Sequence, residues 1–111
     1  MKLAIIGSRN ITKTIDLDKY ITQEVTEIVS GGAKGIDTFA KLYAIENNIK
    51  YTEFVPNYAM YKKGAPIKRN KEIAEYADSA LIFWDGKSKG TKNTISCFNE
   101  LNKKISVIII S

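Results

Sequence analysis

Glycine-containing turns follow three apolar runs in the sequence, and the residues in these turns are of the types that hold phosphate groups. The turns are Gly7-Ser8-Arg9, Ser30-Gly31-Gly32 and Asp85-Gly86. Each preceding run is typical of a buried strand, and the carboxyl ends of parallel strands meet at one edge of a sheet, where ligands bind. Glycine there lets backbone amides approach a phosphate closely. The spacing therefore predicts a phosphate-binding site at this edge.

The segment at residues 30–37, which reads Ser-Gly-Gly-Ala-Lys-Gly-Ile-Asp, carries the most specific part of this signal. Lys34 offers a positive charge, and the amides from Gly35 onward open a helix whose N-terminus favours anions. The segment matches neither a Walker A loop nor the Gly-x-Gly-x-x-Gly fingerprint of dinucleotide sites. Asp37 either complements the helix dipole as a first-turn carboxylate or accepts a ribose hydroxyl.

Cations and a second polar loop complete the candidate site. Arg9 either donates two hydrogen bonds to a phosphate or forms a salt bridge across the crevice. Arg69 lies at the start of a predicted helix, where a cation opposes the dipole, so we expect an anion beside it. The remaining candidates are Asn70, Asp85 as a ribose acceptor, and Gly90-Thr91 as amide donors to phosphate. Tyr58 and Tyr61 are candidate stacking surfaces, whereas Trp84 is predicted to lie partly in the core.

The elements that must position these residues are strands that alternate with helices, which is the pattern of βαβ units around a parallel sheet. Strands are predicted at residues 3–6, 27–29, 50–55, 80–84 and 106–110. Helices are predicted from Asp16 to about Glu24, from Ile36 to Asn47, from Pro66 to Ala77, and from an N-cap at Thr91 to Leu101, with a loop at 57–65. The expected fold is a Rossmann-like three-layer α/β domain with a five-stranded, mostly parallel sheet.

Length and composition narrow the classes of protein. At 111 residues the chain is about one domain long, so we expect a single nucleotide-binding domain over 1–111. Its formal net charge of +5 favours anionic partners. No histidine occurs, so any acid–base chemistry falls to other side chains. The one cysteine, the short N-terminal apolar run and the absence of metal-ligand clusters predict a cytoplasmic protein without a membrane partner, metal or cofactor.

These motifs together resemble the SLOG superfamily, which joins the DNA-processing protein A domain with the Lonely Guy phosphoribohydrolases. The resemblance rests on the turns at 7–9 and 30–37, on Arg69-Asn70-Lys71, on Ala77-Asp78 and on Gly90-Thr91. The stretch at 84–91 is similar to the YspA/YpsA-related branch. The resemblance implies a Rossmann-like fold, often dimeric, that binds nucleotides or nucleotide-derived molecules at the strand ends.

Three activities within that superfamily remain open. In the phosphoribohydrolases the motif reads Gly-Thr-x-x-Glu, but here Thr94 stands at the position of the catalytic glutamate. A hydrolase would then depend on Arg69 and Asp85. The DNA-processing proteins bind single-stranded DNA, which suits the net charge, although only Tyr58 and Tyr61 offer stacking surfaces. We favour the third reading, which is binding or sensing of a small nucleotide, nucleotide-sugar or ADP-ribose-like ligand by a homodimer, and do not favour nucleic acid as the partner.

Overall fold

A computed structural model describes residues 1–31 and 35–110 of the chain. Its centre is a sheet of five parallel strands in the order β3-β2-β1-β4-β5. The strands are β1 (Lys2–Gly7), β2 (Glu27–Ser30), β3 (Lys50–Glu53), β4 (Ser79–Trp84) and β5 (Lys104–Ile109). The chain reverses its direction of progress across the sheet at β1, so the crevice between the ends of β1 and β4 is the switch point where ligands bind in such folds.

Four α-helices are present in the described part of the chain: α1 (Ile36–Glu46), α2 (Tyr58–Tyr61), α3 (Ala65–Tyr76) and α4 (Lys89–Glu100). On one face of the sheet, α1 packs Ile36 and Ala40 against a core that includes Ile5. On the other face, α3 and α4 bury Ile73 and Phe98. Helices therefore cover both faces, and the predicted three-layer α/β fold is confirmed, with a sheet that is parallel throughout.

The predicted helix from Asp16 to Glu24 is wrong. Only a short 3₁₀ helix, Leu17–Lys19, forms there, and Asp16 caps it by accepting a hydrogen bond from the amide of Asp18. Leu17 is buried, and the ring of Tyr20 meets Phe83 edge-on, with ring centroids 5.3 Å apart. The apolar side chains therefore cover the sheet as an irregular segment, because contacts with the sheet outweigh a helical pattern that spans only two turns.

The predicted loop at 57–65 is also wrong in part, since α2 and a 3₁₀ helix at Lys62–Gly64 occupy it. Asn57 caps α2 by accepting a hydrogen bond from the amide of Met60 at 3.1 Å. The predicted N-cap at Thr91 lies three residues too late, because Ser88 caps α4 and accepts the amide of Thr91 at 3.4 Å. Asn57 and Ser88 each lie three residues before the amide that they cap, and this N-cap spacing is a local signal in the sequence.

The longest helices, α3 and α4, have 12 residues each, whereas a bilayer requires about 20 apolar residues. Within residues 1–31 and 35–110, no helix has the length and apolar character needed to cross a membrane.

Candidate functional site

A cavity of about 440 Å³ lies at the carboxyl ends of the strands, beside the β1–β4 switch point. Its volume is in the range typical of small-molecule sites. The end of β1, the start of α1, the first turns of α3 and α4, and the loop after β4 form its walls. Predicted site residues that line it are Gly7, Arg9, Gly31, Asp37, Arg69, Asn70, Asp85, Gly90 and Thr91.

Below one wall of the cavity, Ser8 joins the turn after β1 to α4. Its hydroxyl lies 3.1 Å from the hydroxyl of Thr91 and donates to the Oδ1 of Asp85 at 3.4 Å. Ser8 is only 1% exposed and does not line the cavity, although the sequence predicted it as a ligand contact. Its position instead supports the residues that do line the wall.

Asp85 is the centre of the loop between β4 and α4. Its Oδ1 accepts the amides of Lys87 at 2.8 Å and Ser88 at 2.7 Å, while its Oδ2 accepts the side-chain amide of Asn10 at 2.9 Å. The backbone hydrogen bonds from Ser88 and Lys87 hold the pKa of Asp85 below its ordinary value. The carboxylate is therefore ionised, and its hydrogen bonds hold the loop between β4 and α4 in place.

The opposite wall is built around Arg69 in the first turns of α3. Its guanidinium donates to the carbonyl oxygen of Gly31 and, at 3.5 Å, to that of Phe54, and its Nε donates to Asn70 at 3.0 Å. The side-chain amide of Asn70 then donates to Asn93 at 3.1 Å. Arg69 thus connects the ends of β2 and β3 to α3, and Asn70 connects α3 to α4.

Gly7 and Gly35 have separate structural reasons to be glycine. A Cβ at Gly7 would collide with the side chain of Ile36, so glycine permits α1 to pack directly on the end of β1. Gly35 has φ +82°, and a Cβ there would lie 2.8 Å from the carbonyl oxygen of Ile11. Close helix–strand packing and a left-handed backbone are features of phosphate-binding turns, but they do not by themselves require a ligand.

Asp37 lies at the floor of the cavity in the first turn of α1. It is 7% exposed, and the hydroxyl of buried Ser30 donates to its Oδ1. Burial lowers the pKa of Arg69, the charge of Asp37 raises it, and the nearby charge of Arg9 lowers it again, with a net decrease. Arg9 and Arg69 therefore repel each other at the same cavity, but the attraction of Asp37 for Arg69 is the larger of the two effects, and burial is the main cause of the lowered pKa.

The predicted site residues divide into three groups. Nine of them surround the cavity, as given above. Four more do not line it: Ser8 and Ser30 are buried, Gly35 is the N-cap residue of α1, and Gly86 lies in the loop after β4. Gly32 and Lys34 fall outside the described residues. Whether any of the thirteen described residues contacts a ligand remains a prediction.

Four polar residues of the cavity were not predicted as site residues: Asn10, Lys87, Ser88 and Thr94, the last of which the sequence marked only as standing where the hydrolases have glutamate. Asn10 directly follows the turn at 7–9, and Ser88 stands three residues before Thr91, which is the spacing of an N-cap. Both signals were present in the sequence. Lys87 carried no local signal that separated it from the other surface lysines.

Within the described ranges, no group of three Asp, Glu or Cys side chains is arranged to hold a metal ion. The polar groups of the cavity walls instead bond to one another, as Thr94 does by donating to the carbonyl oxygen of Gly90 at 3.1 Å. Available charge at the cavity is therefore mainly that of its cations.

The fold and cavity define a Rossmann-like α/β protein with a ligand-sized crevice at its strand ends. The chain matches the family model of DNA recombination-mediator protein A over residues 1–59, which is more than half of its length. It belongs to that family, and the match supports the resemblance to the SLOG superfamily. No curated protein and no solved structure matched the chain. The matched part includes Arg9 and the segment at 30–37 but not the wall formed by α3 and α4.

Proposed function

We propose that the chain binds a nucleotide-derived, phosphate-bearing ligand in the cavity at the carboxyl ends of its strands. The observation that carries this proposal is the charge of the cavity. Arg9, Arg69 and Lys87 line it, and among the described residues neither Arg9 nor Lys87 has a carboxylate within ion-pair distance. An anion bound beside Arg9 and Arg69 would relieve the repulsion between them, which would contribute favourably to binding.

The size of the cavity supports a small ligand with both polar and apolar parts. Ile6, Pro66 and Ile73 provide apolar lining beside the cations. A base or another flat group could rest on these side chains while phosphates face the cations. Nucleotides, nucleotide-sugars and ADP-ribose-like molecules all fit this chemistry.

The contacts give less support to N-glycosidic hydrolysis. A carboxylate that stabilises positive charge on ribose needs lone pairs directed at the substrate. Asp85 accepts hydrogen bonds from Ser8, Asn10 and two backbone amides, and Thr94 cannot supply a charge. We therefore propose binding or sensing, and we retain hydrolysis as an alternative that turnover of AMP would establish.

Single-stranded DNA binding is the second candidate, because family membership and one surface favour it. Tyr58 and Tyr61 are 55% and 39% exposed, and Lys68 lies over the ring of Tyr61 at 5.8 Å. Exposed aromatic rings beside lysines can stack bases and contact phosphates. This surface adjoins the cavity through Pro66 and Arg69 of α3.

Three narrower points belong to the same proposal. We place the chain in the YspA-related branch of the superfamily, because the loop at 84–91 that resembles this branch forms a cavity wall. We treat residues 1–111 as one domain, since all five strands share one sheet. The single cysteine favours a cytoplasmic location.

A thermal-shift screen tests the proposed ligand class. The panel contains mononucleotides, NAD, ADP-ribose and cyclic nucleotides. A ligand at about 100 times its Kd should add roughly 2.7 kcal/mol to the free energy of unfolding. Lys87→Gln should weaken the response, whereas Lys41→Gln, an exposed lysine on α1, should leave it unchanged. The absence of a shift with every compound would contradict the proposal.

A salt titration distinguishes the DNA candidate. Oligonucleotide affinity should fall with salt at a slope of about −0.7 per phosphate contacted. Tyr58→Ala and Tyr61→Ala should weaken oligonucleotide binding but leave the response to mononucleotides intact. If no oligonucleotide binds at low salt, the DNA candidate is wrong while the small-ligand proposal stands.

A further inference from the structure

Strand β5 is an apolar edge of the sheet. Among the strands of residues 1–31 and 35–110, β3 and β5 lie at the two edges, and β3 carries the charged residues Lys50 and Glu53. After Lys104, β5 carries neither charge nor proline, and Val107 and Ile109 are 39% and 59% exposed. Proteins commonly protect edge strands with charges, prolines or bulges. Strand β3 has such protection and β5 does not.

The free hydrogen-bonding groups of β5 can be assigned from its pairing with β4. The amide of Ile110 donates to the carbonyl oxygen of Trp84 at 2.8 Å, so it points toward β4. Backbone groups alternate in direction along a parallel strand. The N–H and C=O groups of Ile105, Val107 and Ile109 therefore point away from the sheet, toward the open edge.

The same three side chains lie on the face of the sheet that α4 covers. Val107 is in register with Ile82, and Ile109 is in register with Trp84, on the face where Phe98 of α4 is buried. Helix α4 shields this face over β4 but leaves Val107 and Ile109 exposed beyond it. A strand added at this edge would satisfy the backbone, and a helix carried with it would cover the two side chains.

We propose that β5 pairs antiparallel with β5 of a second copy of this chain, about a twofold axis at Val107. This register pairs Val107 with its own counterpart and Ile105 with Ile109, so that all three outward-facing residues exchange hydrogen bonds. It joins the two sheets into one ten-stranded sheet. Both copies of α4 then lie on the same face, on either side of the junction.

Charge favours this arrangement over the others. Helical spacing places Lys89, Lys92, Ser96 and Asn99, all exposed, on one stripe of α4. Antiparallel pairing sets the lysine end of one stripe beside the Ser96–Asn99 end of the other, and it separates the two Lys104 side chains. Parallel pairing would turn one sheet over and place the two copies of α4 on opposite faces, so that neither could cover the exposed Val107 and Ile109 of the other. Pairing β5 with β3 of another copy would produce an open-ended fibre rather than a closed dimer.

Charges introduced at Val107, on the proposed twofold axis, test the pairing by sedimentation analysis. The wild-type protein should dimerise, and Val107→Lys and Val107→Glu should each weaken the dimer by about a hundredfold, since like charges then face each other. A mixture of the two variants should restore it, because Lys then faces Glu. A monomeric wild type, or two monomeric variants that fail to associate when mixed, would overturn the proposal.

A matched pair of variants controls for exposed apolar surface. Ile109 and Ile67 are 59% and 60% exposed, but only Ile109 lies on β5. Ile109→Lys should weaken the dimer and Ile67→Lys should not. Equal effects would show that nonspecific contact between exposed apolar side chains, rather than pairing of β5, drives association, and would overturn the proposal.

Amide hydrogen exchange provides a test that needs no variant. The outward amides of Ile105, Val107 and Ile109 should exchange slowly in the dimer and become unprotected on dilution. Outward amides of β3, such as that of Tyr51, should exchange rapidly at every concentration. A dimer whose β5 amides exchange as rapidly as that of Tyr51 would overturn the proposed pairing.

Discussion

Charged side chains have different partners at the two ends of the sheet. At the amino ends of the strands, Glu27 accepts hydrogen bonds from Tyr76 at 2.5 Å and Thr52 at 2.7 Å and forms an ion pair with Lys50 at 3.7 Å. Lys2 lies 4.1 Å from the centre of the Tyr76 ring. At the carboxyl ends, by contrast, Arg9, Arg69 and Lys87 line a cavity, and neither Arg9 nor Lys87 forms an ion pair within the described residues.

Lys103, which also lies at the amino ends of the strands, has all its partners within the protein. Its ammonium group donates to the carbonyl oxygens of Ala74, Glu75 and Ala77 at 2.7–2.9 Å, so it caps the C-terminus of α3. All three of its donors are used within the protein. The amino ends therefore use charge for stability, whereas the cations at the carboxyl ends are those that we propose bind an anion. Substitutions at the two ends should affect different measurements.

The largest effect should come from Glu27, which is 6% exposed. Glu27→Ala leaves two hydroxyl groups without their acceptor and should lower the free energy of unfolding by about 3 kcal/mol. Ligand binding by the folded variant should not change, because Glu27 does not line the cavity. Urea denaturation measures the loss, with Glu46→Ala, an exposed glutamate at the end of α1, as the control. Equal losses for the two variants would contradict the contrast.

Lys103→Met should cost about 2 kcal/mol of stability, since three carbonyl oxygens at a helix C-terminus lose a charged donor. The neighbouring Lys104→Met provides the control, because the side chain of Lys104 is exposed and makes no hydrogen bond to the described residues. Urea denaturation of both variants measures the difference. If Lys104→Met were the more damaging change, the capping role would be wrong.

Arg9→Gln should show the opposite behaviour. Because Arg9 is exposed and lies close enough to repel Arg69, its loss should change stability by no more than about 0.5 kcal/mol. Affinity for a phosphate-bearing ligand should fall about tenfold, which corresponds to roughly 1.4 kcal/mol. Calorimetric titration measures the affinity. A variant that binds as tightly as the wild type would show that Arg9 is not a ligand contact.

Lowering the pH should reduce the free energy of unfolding through the carboxylate of Glu27 at the amino ends of the strands. Burial raises the pKa of Glu27, but hydrogen bonds from Tyr76 and Thr52 and the charge of Lys50 outweigh this and hold the pKa below its ordinary value of 4.5. The resulting stability is fully present above pH 4.5 and is lost as the pH falls through the folded-state pKa. Glu27→Gln should make the decline of stability with acid shallower. A decline of equal slope in both proteins would assign the effect to other carboxylates.

Alkali should give the smallest effect. Burial is the main cause that raises the pKa of Tyr51 from 10.0 to about 12, and folding therefore favours the neutral phenol. This stability is present below pH 10.0 and is lost as the pH rises through about 12. Because much of Tyr51 faces solvent, screening reduces the size of the effect. Tyr51→Phe should flatten the decline, which tyrosinate absorbance and unfolding at high pH would measure.

Much of the fold could be predicted because its signals are local. The buried strand β4 reads Ser-Ala-Leu-Ile-Phe-Trp, which favours a central parallel strand on composition alone. Helix α1 follows from apolar residues at i, i+3 and i+4 that extend over three turns. The same pattern at 17–24 predicted a helix wrongly, because two turns are too few to resist the competing contacts of Leu17 and Tyr20 with the sheet.

The sequence by itself determined the glycine turns, the cations and their order along the chain, since residue type and spacing carry that information. Only the tertiary structure decided which of these residues meet. Ser8 and Thr91 are 83 residues apart, yet their hydroxyls lie 3.1 Å apart. Asp85 was predicted as a ribose acceptor, but the folded loop surrounds it with donors from Asn10, Lys87 and Ser88. Long-range packing determines which polar groups satisfy one another and which charges are left for a ligand, and no local pattern encodes that balance.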